Sequence, residues 1–301
     1  WQVRALCRSQ EAAAAMEAEG AGASIGDLDD RESLRRLVSD CEFVFNVAGI
    51  NEMCSKRPGR MREVNVAGAR NVLEACRSEG VRRLVHTSSA TTIGESQGEL
   101  ANESSPHRGY FLSQYERTKY LGEMAVLENA GDVEVVCVNP SSVQGPGRST
   151  GTGKIILAVL AGRLPALIDT MVSLVDIDDC ARGHVLAALS GTPGERYILS
   201  GATVSVSDAV DLAAGHLGSD ISLRMIPGWA VGAVGPVLGI ASRVVPALPD
   251  LCTEMVRVLR FGHRYDGAKA TSELGLSYRP LTDTLARTVD WFRARGLLES
   301  F

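Results

Sequence analysis

Lysine is almost missing from this chain. Among 301 residues only Lys56, Lys119, Lys154 and Lys269 carry an ammonium, beside six tyrosines and five histidines. The net charge is −5 and no basic stripe runs along the sequence, which argues against nucleic acid as a partner. The seven cysteines (Cys7, Cys41, Cys54, Cys76, Cys137, Cys180, Cys252) are scattered, odd in number and without a C-x-x-C pair. That pattern argues against a zinc site or a disulfide framework and fits a reducing, cytoplasmic setting. The histidines form no H-x-x-x-H pair, so metal chemistry is not indicated. There is no basic-then-apolar leader and no transit peptide. One long apolar run exists, at 227–246, with Arg243 as its only charge. Its length would suit a membrane surface. Pro236, four glycines and Arg243 make a buried or lid helix pair the preferred reading.

What is present is an ordinary globular composition with apolar runs alternating with helical patterns. That texture predicts an α/β fold built on a mainly parallel sheet. Strands are predicted at 1–8, 42–47, 81–87, 133–139, 172–177 and 196–200. Helices are predicted after Asp29, whose carboxylate would cap with Glu32 three residues on, and at 61–78, ended by Gly80. Further helices are expected at 110–129, 152–161, 178–189 and 207–217. An amphipathic one at about 281–295 would bury Leu285, Val289, Trp291 and Phe292.

The most informative run is Gln114-Tyr115-Glu116-Arg117-Thr118-Lys119. Four residues apart on a helix, Tyr115 and Lys119 share a face. A nearby ammonium lowers a phenol's pKa, so a group that usually keeps its proton to about pH 10 can exchange it near neutrality. Hydride exchange with an alcohol or ketone needs such a group. Ser88-Ser89 end the strand at 81–87, where a doubly wound sheet faces its ligand, and a serine there can hold a substrate oxygen.

With these residues go Gly26-Asp27-Leu28, Val47-Ala48-Gly49, Asn65-Val66-Ala67-Gly68-Ala69-Arg70-Asn71, His86-Thr87-Ser88-Ser89-Ala90 and Asn139-Pro140-Ser141-Ser142-Val143-Gln144-Gly145-Pro146. Together they resemble an extended short-chain dehydrogenase/reductase of the NAD-dependent epimerase/dehydratase superfamily. The resemblance covers nearly the whole chain and is greatest to the branch of dihydroflavonol reductases and 3β-hydroxysteroid dehydrogenases. It implies a Rossmann-type doubly wound parallel sheet with a smaller C-terminal substrate domain. The Rossmann part would take 1–145 and about 171–192, and the substrate part about 146–170 and 193–301. It also implies roles: Tyr115 as acid/base, Lys119 as its modulator and the holder of the nicotinamide ribose, and Ser89 orienting the substrate oxygen, with Ser88 as the fallback. Asp27 and Leu28 would border the adenine, Ala48 and Gly49 would let backbone approach the cofactor, and Pro140, Ser142 and Val143 would face the nicotinamide. Asn65 is as plausible a tie between strand ends as a cofactor contact.

Arg8 ends the first strand, where an acidic residue would read the ribose of NAD and an arginine suits the extra phosphate of NADP. NADP is therefore the expected cofactor, with NAD as the alternative. The family's glycine-rich phosphate loop is absent, and the resemblance would put it, with a first strand and helix, some ~30 residues ahead of Trp1. Thr118 and Gln144 stand where relatives often have serine and tyrosine. The stretches 141–168 and 196–261, rich in Leu, Val, Met and Ala, suit a small apolar ketone or alcohol better than a nucleotide sugar. Three functions remain in view: an NADP-dependent reductase or dehydrogenase, a nucleotide-sugar epimerase or dehydratase with tightly held NAD, and a non-catalytic dinucleotide sensor. A homodimer paired through the helices at 61–78 and 110–129 is the assembly the resemblance implies.

Overall fold

The computed structural model describes residues 1–149, 151–164, 166–218, 223–227 and 252–298. Strand β1 (Arg4–Cys7) leads through helix α1 (Gln10–Ala18) to β2 (Gly22–Ile25), which pairs with β1 in parallel. Helix α2 (Arg31–Val38) precedes β3 (Phe43–Asn46). Then come α3 (Pro58–Arg62), a π-helical segment (Glu63–Gly68) and α4 (Ala69–Ser78), followed by β4 (Arg83–Thr87). Helix α5 (Gln114–Leu127) and strand β5 (Glu134–Pro140) follow.

Strands β3, β4 and β5 run parallel, in register Phe43↔Arg83 and Arg83↔Glu134. The middles of β4 and β5, Leu84-Val85 and Val135 to Val138, are apolar because both faces are covered there, as in other helix-flanked parallel sheets. Alternation divides the residues between two cores. Leu84, Val135 and Cys137 face Leu34, Val72, Cys76 and Val126 of α2, α4 and α5. Val85, Val136 and Val138 face the opposite way, towards Ala187, Ala188, Tyr197 and Leu274.

Beyond β5 lie β6 (Ser142–Gln144), α6 (Thr152–Leu160), β7 (Ala166–Asp169), β8 (Met171–Asp176) and α7 (Ile177–Ser190). They are followed by β9 (Arg196–Leu199), β10 (Ala202–Ser205), α8 (Val206–Leu217) and β11 (Arg224–Pro227). The last helices span Thr253–Phe261, Ala268–Leu274 and Leu281–Ala294. Strand β9 joins β5 as the fourth strand of the central sheet. Strand β9, which the expected division assigns to the substrate part, thus lies in the same sheet as β3, β4 and β5. Strands β10, β8 and β6 form a separate small sheet, and β11 pairs with β7. Leu285, Val289 and Phe292 of the final helix are buried as expected, while Trp291 is half-buried.

Other expectations also shift. The first cap is Asp30, not Asp29: its carboxylate accepts from the Ser33 N–H at 3.1 Å. The helix expected at 61–78 starts at Pro58, which needs no donor in a first turn, and is interrupted by the π segment. The sheet is divided: among the described residues no ladder joins β1 to β3, and Val3 and Phe45 lie exposed. Cys54 and Cys252 form a disulfide, against the expectation of none, while the other five cysteines are free. The cysteine argument for a reducing compartment therefore fails at this pair. The apolar run 227–246 lies almost wholly outside the described residues. Among those described, no helix is long and apolar enough to cross a membrane.

Candidate active site

The carboxyl ends of β3, β4 and β5 open towards the first turn of α5. Ser113 caps that helix, accepting from the Glu116 N–H at 3.1 Å, and the Glu254 carboxylate accepts from the Gln114 N–H at 3.0 Å. The Glu116 carboxylate turns back to the Leu112 N–H at 2.7 Å and pairs with Arg108. The exposed donors of a helix start are thereby satisfied. Tyr115 is fixed at the positive end of the helix dipole.

Burial pushes the Tyr115 phenol above its ordinary range, and the side chain of Ser89 and the charge of Arg148 pull it partway back. This departs from the sequence expectation, in which Lys119 lowers that pKa. The reason is local. Lys119 is buried, and its Nζ donates to the Thr87 carbonyl at 2.6 Å. Burial brings the Lys119 pKa down to about 8, opposed by the negative charge of Glu123. The ammonium is engaged with the strand end, not with the phenol.

Ser89 sits at the end of β4. Its Oγ accepts from the Thr91 hydroxyl at 3.0 Å, and its carbonyl accepts from Asn139 Nδ2 at 3.2 Å. Ser88, the fallback, has a buried hydroxyl with no partner. Asn65 answers the question left open by sequence. Its Oδ1 accepts from the Ile50 N–H at 2.8 Å, and its Nδ2 donates to the Ile50 carbonyl and to Thr118 Oγ1, each at 3.0 Å. It ties the loop after β3 to helix α5. The π segment carries Asn65, and Gly122 lets α5 come close to it: a Cβ on Gly122 would lie 2.2 Å from the Asn65 carbonyl oxygen.

Several residues invisible to the motif reading complete the site. The Glu123 carboxylate is fully buried and accepts from Thr92 at 2.8 Å, Asn139 at 2.7 Å and Arg196 at 3.3 Å. Its place four residues after Lys119, on the same helix face, was the available signal. His184 Nδ1 lies 2.7 Å from the Cys180 carbonyl, so that nitrogen carries the hydrogen and Nε2 accepts from the Thr87 hydroxyl at 2.9 Å. Burial lowers the His184 pKa, which keeps the ring neutral. Glu95, His263 and Tyr265 form a buried knot beside Arg108, with the Glu95–His263 contact at 2.6 Å.

The remaining sequence candidates border the same opening. Ala48 and Gly49 follow β3 and are exposed, and a Cβ on Gly49 would stand 3.3 Å from Asn65 Oδ1 and 3.5 Å from Lys119 Nζ. Asp27 accepts from the Leu28 N–H at 2.6 Å and faces Arg60 at 3.6 Å. Pro140 ends β5, and Ser142 and Val143 lie half-buried in β6. Arg8 follows β1, exposed and, among the described residues, without a hydrogen bond or ion pair. Thus Tyr115, Ser89, Lys119 and Gly49 come together, while Arg8, Asp27 and Leu28 lie at the ends of the neighbouring pair of strands.

A parallel sheet whose carboxyl edge is crossed by a helix bearing tyrosine and lysine defines a class: the Rossmann-type enzymes that work with NAD(P), here an extended short-chain dehydrogenase/reductase. The chain belongs to the NAD dependent epimerase/dehydratase family, whose family model matches residues 1–200. It is 31% identical to a putative dihydroflavonol 4-reductase of Synechocystis sp. over 310 aligned positions, covering 100% of this chain and 90% of the relative. It is 29% identical to sterol demethylase protein B of Methylococcus capsulatus, covering 99% and 92%. The solved structure of gox2253 superposes with a TM-score of 0.87 at 28% identity, covering 99% of this chain and 92% of that one. Two features suit the dinucleotide that the family's name implies, although the glycine-rich loop is not in this sequence. The glycine at 49 leaves backbone open beside Lys119, and Arg8 offers a free guanidinium at the strand end.

Proposed function

We propose that this protein is an NADP(H)-dependent oxidoreductase that interconverts a secondary alcohol and a ketone on a largely apolar small molecule. The observation that carries the reading is the convergence of Tyr115, Ser89 and Lys119 at the carboxyl ends of β4 and β5. When bound, the dinucleotide supplies the hydride or accepts it.

The protein's own residues supply the proton and the geometry. Tyr115 keeps its proton because burial disfavours the phenolate. In the reductive direction it gives that proton to the carbonyl oxygen and, left as phenolate, regains one from solvent; the oxidative direction starts from that phenolate, which takes the proton of the hydroxyl. Ser89 donates a hydrogen bond to the same oxygen and fixes its position. Lys119 lies beside Gly49, where it holds the ribose hydroxyls. Ala48 and Gly49 let the backbone approach, Asp27 and Leu28 border the adenine, and Pro140, Ser142 and Val143 wall the ring. Arg8 reads the additional phosphate that separates NADP from NAD. An apolar substrate body is in keeping with the dihydroflavonol and sterol names of the two relatives.

The test is a fluorescence titration with NADPH and NADH, joined to rates of ketone reduction by Tyr115→Phe. NADPH is expected to bind at least about tenfold tighter than NADH. Tyr115→Phe is expected to lower kcat by about 10³ while binding NADPH as before. A Tyr115→Phe protein that reduces ketones at the original rate overturns the assignment.

A further inference from the structure

Ser89 follows β4 in extended backbone, with φ −154° and ψ 146°, and a single 3-10 turn (Ala90–Ile93) comes next. The peptide planes on either side of a residue set where its side chain points. On one side the Ser88 N–H donates to the Val138 carbonyl at 2.7 Å and keeps that plane in the ladder with β5. On the other side the Ser89 carbonyl meets the Thr92 N–H at 3.0 Å, the Thr92 hydroxyl at 2.9 Å and Asn139 Nδ2 at 3.2 Å. The first of these bonds belongs to any such turn. The other two come from side chains, and both lead to one group. The Thr92 hydroxyl lies 2.8 Å, and Asn139 Nδ2 2.7 Å, from the same oxygen of Glu123, Oε2. The Glu123 Oε1 accepts from Arg196 at 3.3 Å. Thr92, Asn139 and Glu123 are all fully buried.

A buried carboxylate with such partners adds little stability over apolar side chains of the same shape. What the network adds is direction. Tyr115, Lys119 and Glu123 follow one another at intervals of four on α5 and so share a face. The helix that carries the proton donor therefore also carries the anchor of the Ser89 carbonyl, and β5 supplies the amide between them. Transfer steps tolerate little error in position: a misplacement of about 1 Å costs about 10² in rate.

We infer that Thr92 and Asn139 are positioning residues, anchored by Glu123, that aim the Ser89 hydroxyl at the substrate oxygen. They touch no substrate and act through Ser89. This rests on the oxidoreductase reading above, in which Ser89 has a substrate oxygen to meet. The Ser89 Oγ accepts from the Thr91 hydroxyl at 3.0 Å, which leaves its own hydrogen for that oxygen.

The experiment uses the full chain with NADPH and three ketones: 4-chromanone, 2-tetralone and 2-decanone. Thr92→Val keeps the shape of the side chain and removes its hydroxyl. It is expected to lower kcat about tenfold with the KM for NADPH unchanged, while Thr92→Ser stays within about twofold of the parent. When Ser89→Ala has already been made, adding Thr92→Val is expected to cost nothing more. Crystal structures of the parent and of Thr92→Val read the same point without turnover. There the Ser89 Oγ is expected to move by about 0.5 Å or more, or to take a second rotamer. Thermal melts show which variants fold, and Asn139→Ala takes the place of Thr92→Val throughout if the latter does not. An unchanged kcat in Thr92→Val overturns the inference. So does an equal loss in the Ser89→Ala background, which would make Thr92 a support of the fold alone. If the parent reduces none of the three ketones, the oxidoreductase reading is what fails. The crystal structures then decide the positioning by themselves, because a displaced Ser89 supports it and an unmoved one overturns it.

Discussion

Lys119 is held in a setting that disfavours its charge, and this has a consequence for stability. Its pKa falls from 10.5 to about 8 on burial in the fold. The folded protein therefore binds this proton less tightly than the unfolded chain. Between about pH 8 and 10.5 unfolding takes up a proton, so stability rises with pH through that window, and below about pH 8 the fold bears the cost of a buried ammonium. Lys119→Met is expected to be more stable than the parent at pH 7, by about 1–3 kcal/mol. That gain should shrink as pH climbs from 8 towards 10.5. Urea unfolding at pH 7, 9 and 10.5 checks it, and a gain that is the same at all three would contradict it. The tyrosine–lysine spacing and the serine pair were legible in the sequence because a helix face and a strand end are local features. The direction of the Tyr115 shift was not, because burial sets it, against the opposing Ser89 hydroxyl and Arg148 charge, and burial comes only with the fold.

Among the elements, α5 and the π segment decide how well the site is assembled. Gly122 has no Cβ to keep it from the Asn65 backbone, and Asn65 in turn holds the loop that carries Gly49. Gly122→Ala would force the two segments apart. An overpacked contact of this kind costs about 1–3 kcal/mol. Here it should also weaken dinucleotide binding, since Gly49 and Lys119 would no longer share one opening. Thermal melts with and without NADPH separate the two effects: a drop in Tm with unchanged NADPH affinity would show that the π segment does not position the site. The helix was visible from its apolar spacing, but the π turn was not. Six residues are too few for a change of period to show, and the cause lies in packing against α5. The cap moved from Asp29 to Asp30 for a similar reason. Two adjacent aspartates both satisfy the sequence rule, and only the path of the chain after β2 selects one.

At the scale of the whole molecule, the doubly covered sheet was legible because the middles of β4 and β5, Leu84-Val85 and Val135 to Val138, are apolar on both faces. Which strands join it was harder to read. Strand β9 lies far along the chain yet completes the sheet beside β5, and nothing in its four residues names that neighbour. The cysteine pair was least legible of all, since Cys54 and Cys252 are separated by 198 positions and share no local motif. The bridge between them has a consequence of its own for how the polypeptide behaves when it is cut or pulled. Every peptide bond between the two sulfurs lies within one covalent ring. A single proteolytic nick there opens the ring but releases no fragment. The nicked chain should run as one full-length band on a denaturing gel without reductant and as two pieces with it, and a gel that shows two pieces in both lanes would mean that the sulfurs are not joined. A motor that draws in the polypeptide from one end meets the same ring as a doubled strand, and must stall, widen or wait for a thiol.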